Sequence, residues 1–116
     1  MLESSIERAV GEHLRVWARV NYLPLHYIKF SPVGVRGWPD RVVLWGGGNL
    51  LFLELKRRGQ KPRKLQEHIH NQLRICGFKV LVHDDTDECL AEIKREILAT
   101  GRTGSWDGVD STGGGG

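Results

Sequence analysis

Residues 40–56, DRVVLWGGGNLLFLELK, contain the feature from which the rest of the architecture follows. Two apolar segments, 41–45 and 50–53, flank three glycines and an asparagine, and this pattern is typical of a β-hairpin. Apolar residues occupy consecutive positions in both segments, so both faces of each strand should be buried. The hairpin is therefore predicted to lie at the centre of a sheet that is covered on two sides.

The length of the hairpin turn determines which polar side chains share a face. If residues 46–49 formed the turn, Asp40 would point away from Glu54, because a shift of one residue moves a strand's side chains to the other face. A three-residue turn at 46–48 instead places Asp40 opposite Glu54, with Lys56 on the same face. Consecutive glycines permit such a turn. We therefore predict an odd-length turn or a bulge.

The flanking residues predict an α/β domain with the element order α-β-β-β-α-β-α. Apolar residues recur at helical spacing in three segments, and two further segments are rich in aromatic and β-branched residues. The predicted elements are a helix at 5–20, a strand at 25–30, the hairpin, a helix at 65–76 ended by Gly77, a strand at 78–83 and a helix after a cap at 85–88. The inner face of the second helix is expected to carry Leu65, Ile69, Leu73 and Cys76. We expect a mixed central sheet flanked by helices.

Length and composition fit one small domain. The 116 residues are 40% apolar, which supports a folded domain at 1–99 with a small core, so dimerisation would be unsurprising. The glycine-rich tail at 100–116 has too few apolar residues to fold and is expected to be disordered. No apolar run approaches the roughly 20 residues of a membrane span, and the start lacks the features of a signal peptide. Cys76 and Cys89 are expected to be reduced thiols of a cytoplasmic protein.

Basic residues are concentrated before residue 84. Residues 1–83 hold 14 Lys and Arg against 6 Asp and Glu, whereas residues 84–116 hold 3 against 8. A basic body predicts contacts with nucleic-acid phosphates, whose strength falls steeply with salt. Because carboxylates are scarce in this body, Glu7, Asp40 and Glu54 are better explained as ligands than as solubilising residues.

Asp40, Glu54 and Lys56 form the candidate catalytic set. Paired carboxylates suit a hard cation such as Mg²⁺, and a lysine beside them can orient or deprotonate a water and offset charge on a phosphate. Each residue also has a structural alternative. Asp40 would serve as a turn residue, Glu54 would form an ion pair with Lys56 or Arg41, and Lys56 would cover apolar surface with its stem.

Residues on the predicted helices are further candidates for this set, and each also has a structural alternative. Glu7 lies on a helix that could pack beside the sheet, although Ser4 and Glu7 together also match a capping box. Gln66 follows the basic loop and could bind the attacking water or a phosphate, or else be an exposed helix residue. His68 and His70 diverge on a helix, so we expect a surface or core histidine at each position.

A basic loop follows Lys56 directly. Residues 56–64 contain six basic residues in nine, which favours binding of the phosphate backbone over a merely solvated segment. Trp38 is close enough in sequence for stacking on an unpaired base to be considered. The candidate DNA-binding residues are Arg57, Arg58, Lys61, Arg63 and Lys64.

This ordered set resembles the PD-(D/E)xK nuclease superfamily, and in particular its virus-type replication-repair nuclease branch, the VRR-NUC domain. The resemblance covers about residues 3–98 and is carried by Glu7, the motif Gly37-x-Pro39-Asp40, the motif Glu54-x-Lys56, and Gln66. It implies a restriction-endonuclease-like core and Mg²⁺- or Mn²⁺-dependent cleavage of DNA.

The resemblance also implies individual roles. Asp40, Glu54 and the Leu55 carbonyl would bind metal, Lys56 would assist the water, and Glu7 and Gln66 would be the helix-borne acidic and polar residues, with Glu7 as a further metal ligand. Short stand-alone members look like Holliday-junction resolvases from phages or bacteria, which implies a homodimer acting on branched DNA in a bacterial or phage-infected cell.

Two other functions stay open from the sequence. In one, Asp40, Glu54 and Lys56 form structural ion pairs in a non-catalytic nucleic-acid-binding module. In the other, the basic loop of a protein-interaction domain meets an acidic partner.

Overall fold

The computed structural model describes residues 3–101 and contains seven helices and strands in the predicted order. They are α1 (Glu3–Val20), β1 (Leu25–Lys29), β2 (Arg41–Trp45), β3 (Asn49–Leu55), α2 (Lys64–Ile75), β4 (Lys79–His83) and α3 (Thr86–Ala99). The α/β fold with a mixed sheet flanked by helices is confirmed. The predicted glycine-rich tail lies outside the described residues, apart from Thr100 and Gly101.

The sheet has the strand order β1-β2-β3-β4, with the predicted hairpin at its centre. β1 and β3 are antiparallel to β2, and β4 is parallel to β3. Trp45 pairs with Asn49, which leaves a three-residue turn of glycines at 46–48. Gly47 and Gly48 both have positive φ, so the turn uses the conformation that glycine adopts most readily. The predicted odd-length turn is confirmed.

Two separate apolar layers cover the sheet. α1 and α3 pack on the face that carries Val43, Leu51 and Leu53, all fully buried. α2 covers the opposite face, where Val42 and Phe52 pack in a smaller cluster. Residues of the hairpin strands alternate between these layers, which explains why both strands are apolar at consecutive positions.

The ends of the second and third helices follow their predicted signals. Gly77 has φ +98° directly after the residue that caps α2, and the side chain of Asp85 accepts a hydrogen bond from the Glu88 N–H at the start of α3. Two residues expected on the inner face of α2 are instead exposed, since Leu65 is 48% exposed and Cys76 lies beyond the last turn. α2 is therefore buried along a narrower stripe than its apolar pattern predicts.

Both cysteines are free thiols, as expected, with Cys76 exposed and Cys89 buried. Within residues 3–101, no helix is long and apolar enough to cross a membrane.

Candidate active site

β3 carries Glu54 onto the face covered by α2. The side chains of Leu53 and Leu55 point into the α1–α3 layer, so Glu54 between them points the other way, as Phe52 does. Glu54 is only 4% exposed, and burial of a carboxylate is costly unless cations or hydrogen-bond donors compensate it. The residues around Glu54 therefore determine what this carboxylate can do.

Asp40 lies on the same face, directly before β2. Its carbonyl accepts a hydrogen bond from the Phe30 N–H at 2.9 Å, which continues the β1–β2 pairing by one residue. The register of the hairpin then places Asp40 opposite Glu54, and the alternation of side chains puts it on the side of Val42. The buried Pro39 precedes it and stiffens the approach of the loop.

Lys56 contributes the third member of the set. Its N–H donates to the His83 carbonyl at 2.9 Å, so the backbone is still fixed to β4 one residue after β3 ends. Its Nζ lies 3.5 Å from Oε2 of Glu54, and its side chain is only 12% exposed. Asp40, Glu54 and Lys56 thus share one face of the sheet.

Two residues of α2 approach Glu54 from above the sheet. The Nε2 amide of Gln66 donates to Oε2 of Glu54 at 3.3 Å, while its Oε1 accepts from the Arg63 N–H at 2.8 Å. His70 is 1% exposed, and its Nε2 lies 3.8 Å from Oε1 of Glu54. Because Gln66 and His70 are four residues apart, they face the same side of the helix.

His70 is the site residue that the sequence analysis missed. Its burial fits the core histidine considered there, but its proximity to Glu54 was not predicted. The spacing from Gln66 could have indicated it, since a residue four positions after a site residue on a helix lies on the same face. His68 is exposed, as its divergence from His70 requires.

Glu7 does not join this set. Its Oε1 accepts from Nη2 of Arg41 at 2.7 Å, and Arg41 points to the face opposite Asp40. The capping-box alternative also fails, because α1 begins at Glu3 and Ser4 lies within the helix. Nearby, Tyr27 donates to the Glu7 carbonyl at 3.0 Å, and burial raises the pKa of Tyr27 to about 12. Glu7 therefore belongs to a partly buried ion pair on the α1 side of the sheet, where Arg41 cannot serve as a partner of Glu54.

The donor set fits a hard divalent cation without forming a complete protein cage. No group of three or more His, Cys, Asp or Glu side chains is placed to hold a metal ion in the described part of the chain. Mg²⁺, however, is usually held by one or two carboxylates, with waters and substrate phosphate completing its octahedron. Oε1 of Glu54 is buried and accepts no hydrogen bond from residues 3–101, so it has an oxygen lone pair available. Asp40 and Glu54 are the carboxylates on this face that could hold such a cation, and the Leu55 carbonyl stays a ligand that only the family resemblance implies.

Beyond Lys56, the charged residues of the basic loop are exposed, and two hydrogen bonds connect the loop to the two residues before α3. Arg58 donates to Oδ1 of Asp85 at 3.1 Å, and the Gly59 N–H donates to Oδ2 of Asp84 at 2.7 Å. The Glu88 N–H and the nearby Arg58 guanidinium hold the pKa of Asp85 below its usual value. Part of the charge of Arg58 is therefore already neutralised. The other four candidate DNA-binding residues, Arg57, Lys61, Arg63 and Lys64, are exposed.

Trp38 is only partly exposed in this structure, because it packs within an aromatic cluster. It packs against Phe30, with ring centroids 5.9 Å apart, and against Phe52, at 6.3 Å. The indole therefore packs in the apolar cluster under α2, and base stacking on Trp38 stays a prediction.

Comparison with known proteins places this geometry in a family. No protein-family model matches the chain. The phage protein "Putative nuclease p44" of Acyrthosiphon pisum secondary endosymbiont phage 1 is 35% identical over 85 residues, which cover 73% of this chain and 85% of that protein. A solved structure described as "VRR_NUC domain" superposes with a TM-score of 0.65 at 21% identity and covers 84% of this chain and 94% of its own. A second, described as "VRR_NUC domain protein", has a TM-score of 0.62 at 20% identity, with coverages of 84% and 89%.

The two solved structures show that the fold is that of a VRR-NUC domain. Together with its nuclease-named phage relative, the chain belongs to the VRR-NUC nuclease family. The resemblance inferred from the sequence is confirmed.

Proposed function

We propose that this chain is a divalent-metal-dependent endonuclease that hydrolyses DNA phosphodiester bonds, with Asp40, Glu54 and Lys56 as its catalytic residues. The observation that carries the proposal is the buried Glu54, which shares one face of the sheet with Asp40 and Lys56. Membership in a nuclease family supports the same reaction class.

Each residue of the set has a definable task. Asp40, Glu54 and the Leu55 carbonyl would hold Mg²⁺ or Mn²⁺, which supplies Lewis-acid stabilisation of the charge that builds on the phosphate. Lys56 lies 3.5 Å from Glu54, where its ammonium group would orient a water that attacks from this side and offset phosphate charge, or its neutral amine would take the proton of that water.

Gln66 and His70 would hold the Glu54 carboxylate in place. Gln66 donates to Oε2, so the carboxylate presents Oε1 without a competing hydrogen bond from the described residues. A carboxylate whose rotation is restricted is better prepared for a ligand than one that must be ordered on binding. Glu7 is given no catalytic role, because it is paired with Arg41 on the other face.

A non-catalytic nucleic-acid-binding module is the second candidate. The 3.5 Å ion pair between Lys56 and Glu54 favours it, because this pair already compensates part of the buried charge. In that case DNA would bind to the basic loop, and no product would form with any metal.

Cleavage of end-labelled DNA by wild-type protein, Glu54→Gln and Lys56→Ala distinguishes the two candidates. The nuclease proposal predicts product with Mg²⁺ or Mn²⁺, none in EDTA, and a loss of more than roughly a hundredfold in both variants. Affinity for DNA measured in EDTA should change little. Glu88→Gln is a matched control, because Glu88 is exposed at the start of α3 and its side chain lies outside the site.

Substrate choice and assembly are the finer parts of the proposal. We propose branched DNA such as a Holliday junction as the substrate and a homodimer as the active form, both supported by the resemblance to the VRR-NUC family. The cleavage assay should therefore compare single-stranded, duplex, flap and four-way DNA. Sedimentation of the protein alone tests the dimer, and a monomer at micromolar concentration would exclude it as the resting state.

A further inference from the structure

A pocket of about 400 Å³ lies beside the candidate active site, between the loop that precedes Asp40 and the start of α2. It is lined by Arg36, Gly37, Arg63, Leu65 and Gln66. Arg36 and Arg63 come from different segments of the chain, and Arg36 was not among the candidate DNA-binding residues. We refer to it as the Arg36–Arg63 pocket.

The lining of the pocket is positively charged and contains no acidic residue. Across residues 3–101, neither Arg36 nor Arg63 takes part in an ion pair, whereas Arg41 and Arg58 each do. Two unneutralised guanidinium groups around one concave surface favour an anion. The planar fork of arginine matches a phosphate group with two parallel hydrogen bonds.

Gly37 holds the two sides of the pocket together. It has φ +82°, and a Cβ built there would lie 2.9 Å from Cγ of Leu65 and 3.1 Å from Cγ1 of Ile69. The loop backbone therefore presses on the first turns of α2 at a distance that only glycine allows. This close approach fixes Arg36 relative to Arg63, so the pocket does not depend on two independently moving loops.

Gln66 connects the pocket to the candidate catalytic residues. Its side chain lines the pocket and also donates to Oε2 of Glu54 at 3.3 Å. An anion in the pocket is thus separated from Glu54 by a single side chain. Leu65 is half-exposed there and supplies an apolar wall against which a sugar could rest.

We propose that the Arg36–Arg63 pocket binds a backbone phosphate of the cleaved strand, next to the phosphate that is hydrolysed. The assignment of this phosphate to the cleaved strand rests on the proposed nuclease function, but the anion preference of the pocket does not. Binding at this phosphate would fix the register of the strand over Glu54 and Lys56, which is the usual task of phosphate contacts.

The first test measures affinity for a fluorescein-labelled DNA in EDTA, between 50 and 200 mM NaCl (roughly the range over which phosphate contacts show their salt dependence). Arg36→Ala and Arg63→Ala should each weaken binding roughly tenfold, the effect of losing one charge-assisted hydrogen-bonded contact. Each should also reduce the slope of log affinity against log salt by about 0.9. Arg95→Ala is the matched control, because Arg95 is exposed on α3, across the sheet from the pocket.

The second test places the contact on the strand. A neutral methylphosphonate is substituted at each phosphate near the mapped cut. At one position adjacent to the cut, the methylphosphonate should weaken DNA binding by the wild-type protein. The affinity of Arg36→Ala for DNA should not change at that position. Equal affinity and salt slope for Arg36→Ala and Arg95→Ala would overturn the proposal, even if the protein cleaves DNA. The first test needs no cleavage, so it still tests anion binding by the pocket if the protein does not cleave DNA. The pocket proposal and the nuclease proposal can therefore fail separately.

Discussion

Gly37→Ala should destabilise the protein more than replacement of Gly34, the other glycine of the loop between β1 and β2. Two effects oppose alanine at this position. Alanine must adopt φ +82°, which costs about 1–2 kcal/mol for an L-residue, and its methyl group would lie 2.9 Å from Cγ of Leu65. Overpacking of this kind costs about 1–3 kcal/mol.

The surroundings of Gly37 place the energetic cost of the clash in the lower half of the range of about 1–3 kcal/mol. Leu65 is half-exposed, so its side chain can turn towards solvent, but its backbone oxygen lies 3.1 Å from the new Cβ and cannot move without shifting α2. The sum of both terms is about 2–4 kcal/mol. For a domain of this size, each kcal/mol lowers Tm by roughly 4–8 °C.

Comparison with Gly34→Ala separates the cost of the contact with α2 from the cost of the positive φ. Gly34 has φ +84°, almost the same as Gly37, but a Cβ built there has no neighbour within 4 Å. The backbone term and the change in entropy of the unfolded chain are then common to both variants. The difference between the two variants should therefore report the contact with α2, at about 1–2 kcal/mol.

Urea unfolding of both variants measures this difference. Equal midpoints and slopes for Gly37→Ala and Gly34→Ala would show that the loop does not press on α2, and the geometry of the Arg36–Arg63 pocket would lose its support. Under conditions where both variants are folded, Gly37→Ala should also bind DNA more weakly, because Arg36 and Arg63 would move apart.

Two further outcomes are expected. Leu53→Ala should cost about 2–5 kcal/mol, because Leu53 is fully buried in the α1–α3 layer, whereas Leu98→Ala should change the urea midpoint little, since Leu98 is half-exposed. At pH 8, a thiol reagent should label Cys76 quickly and Cys89 only on unfolding, because burial raises the pKa of Cys89 to about 12 and leaves a thiolate fraction on the order of 10⁻⁴. Labelling of two thiols at the same rate in folded protein would contradict the burial of Cys89.

The hairpin shows how far local sequence can determine a site. Three consecutive glycines and two doubly apolar strands restrict the register to few choices, and a shift of one residue moves Asp40 to the other face. The three-residue turn was predicted because it places Asp40, Glu54 and Lys56 on one face, and the structure has that register. Helix ends at Gly77 and Asp85 were predictable for the same reason, because backbone conformation and capping depend on neighbouring residues.

The helices show where local sequence is insufficient. Periodicity predicts that α1 and α2 have a buried face, but it does not give the side of the sheet on which each one packs. Glu7 was therefore grouped with Glu54, although α1 lies on the other face and Glu7 pairs with Arg41. His70 was not grouped with Glu54, because their proximity follows only from the packing of α2 over the sheet.

Calorimetric titration of Mn²⁺ into the metal-free protein tests most directly the proposed metal binding by Asp40 and Glu54. Wild-type protein and Glu88→Gln should bind the cation with the same affinity, whereas Asp40→Asn and Glu54→Gln should each weaken binding by at least about tenfold, because each removes a carboxylate ligand. All variants are first checked for folding by circular dichroism. Unchanged Mn²⁺ affinity in a folded Glu54→Gln protein would contradict the account and leave the Lys56–Glu54 pair as a structural ion pair.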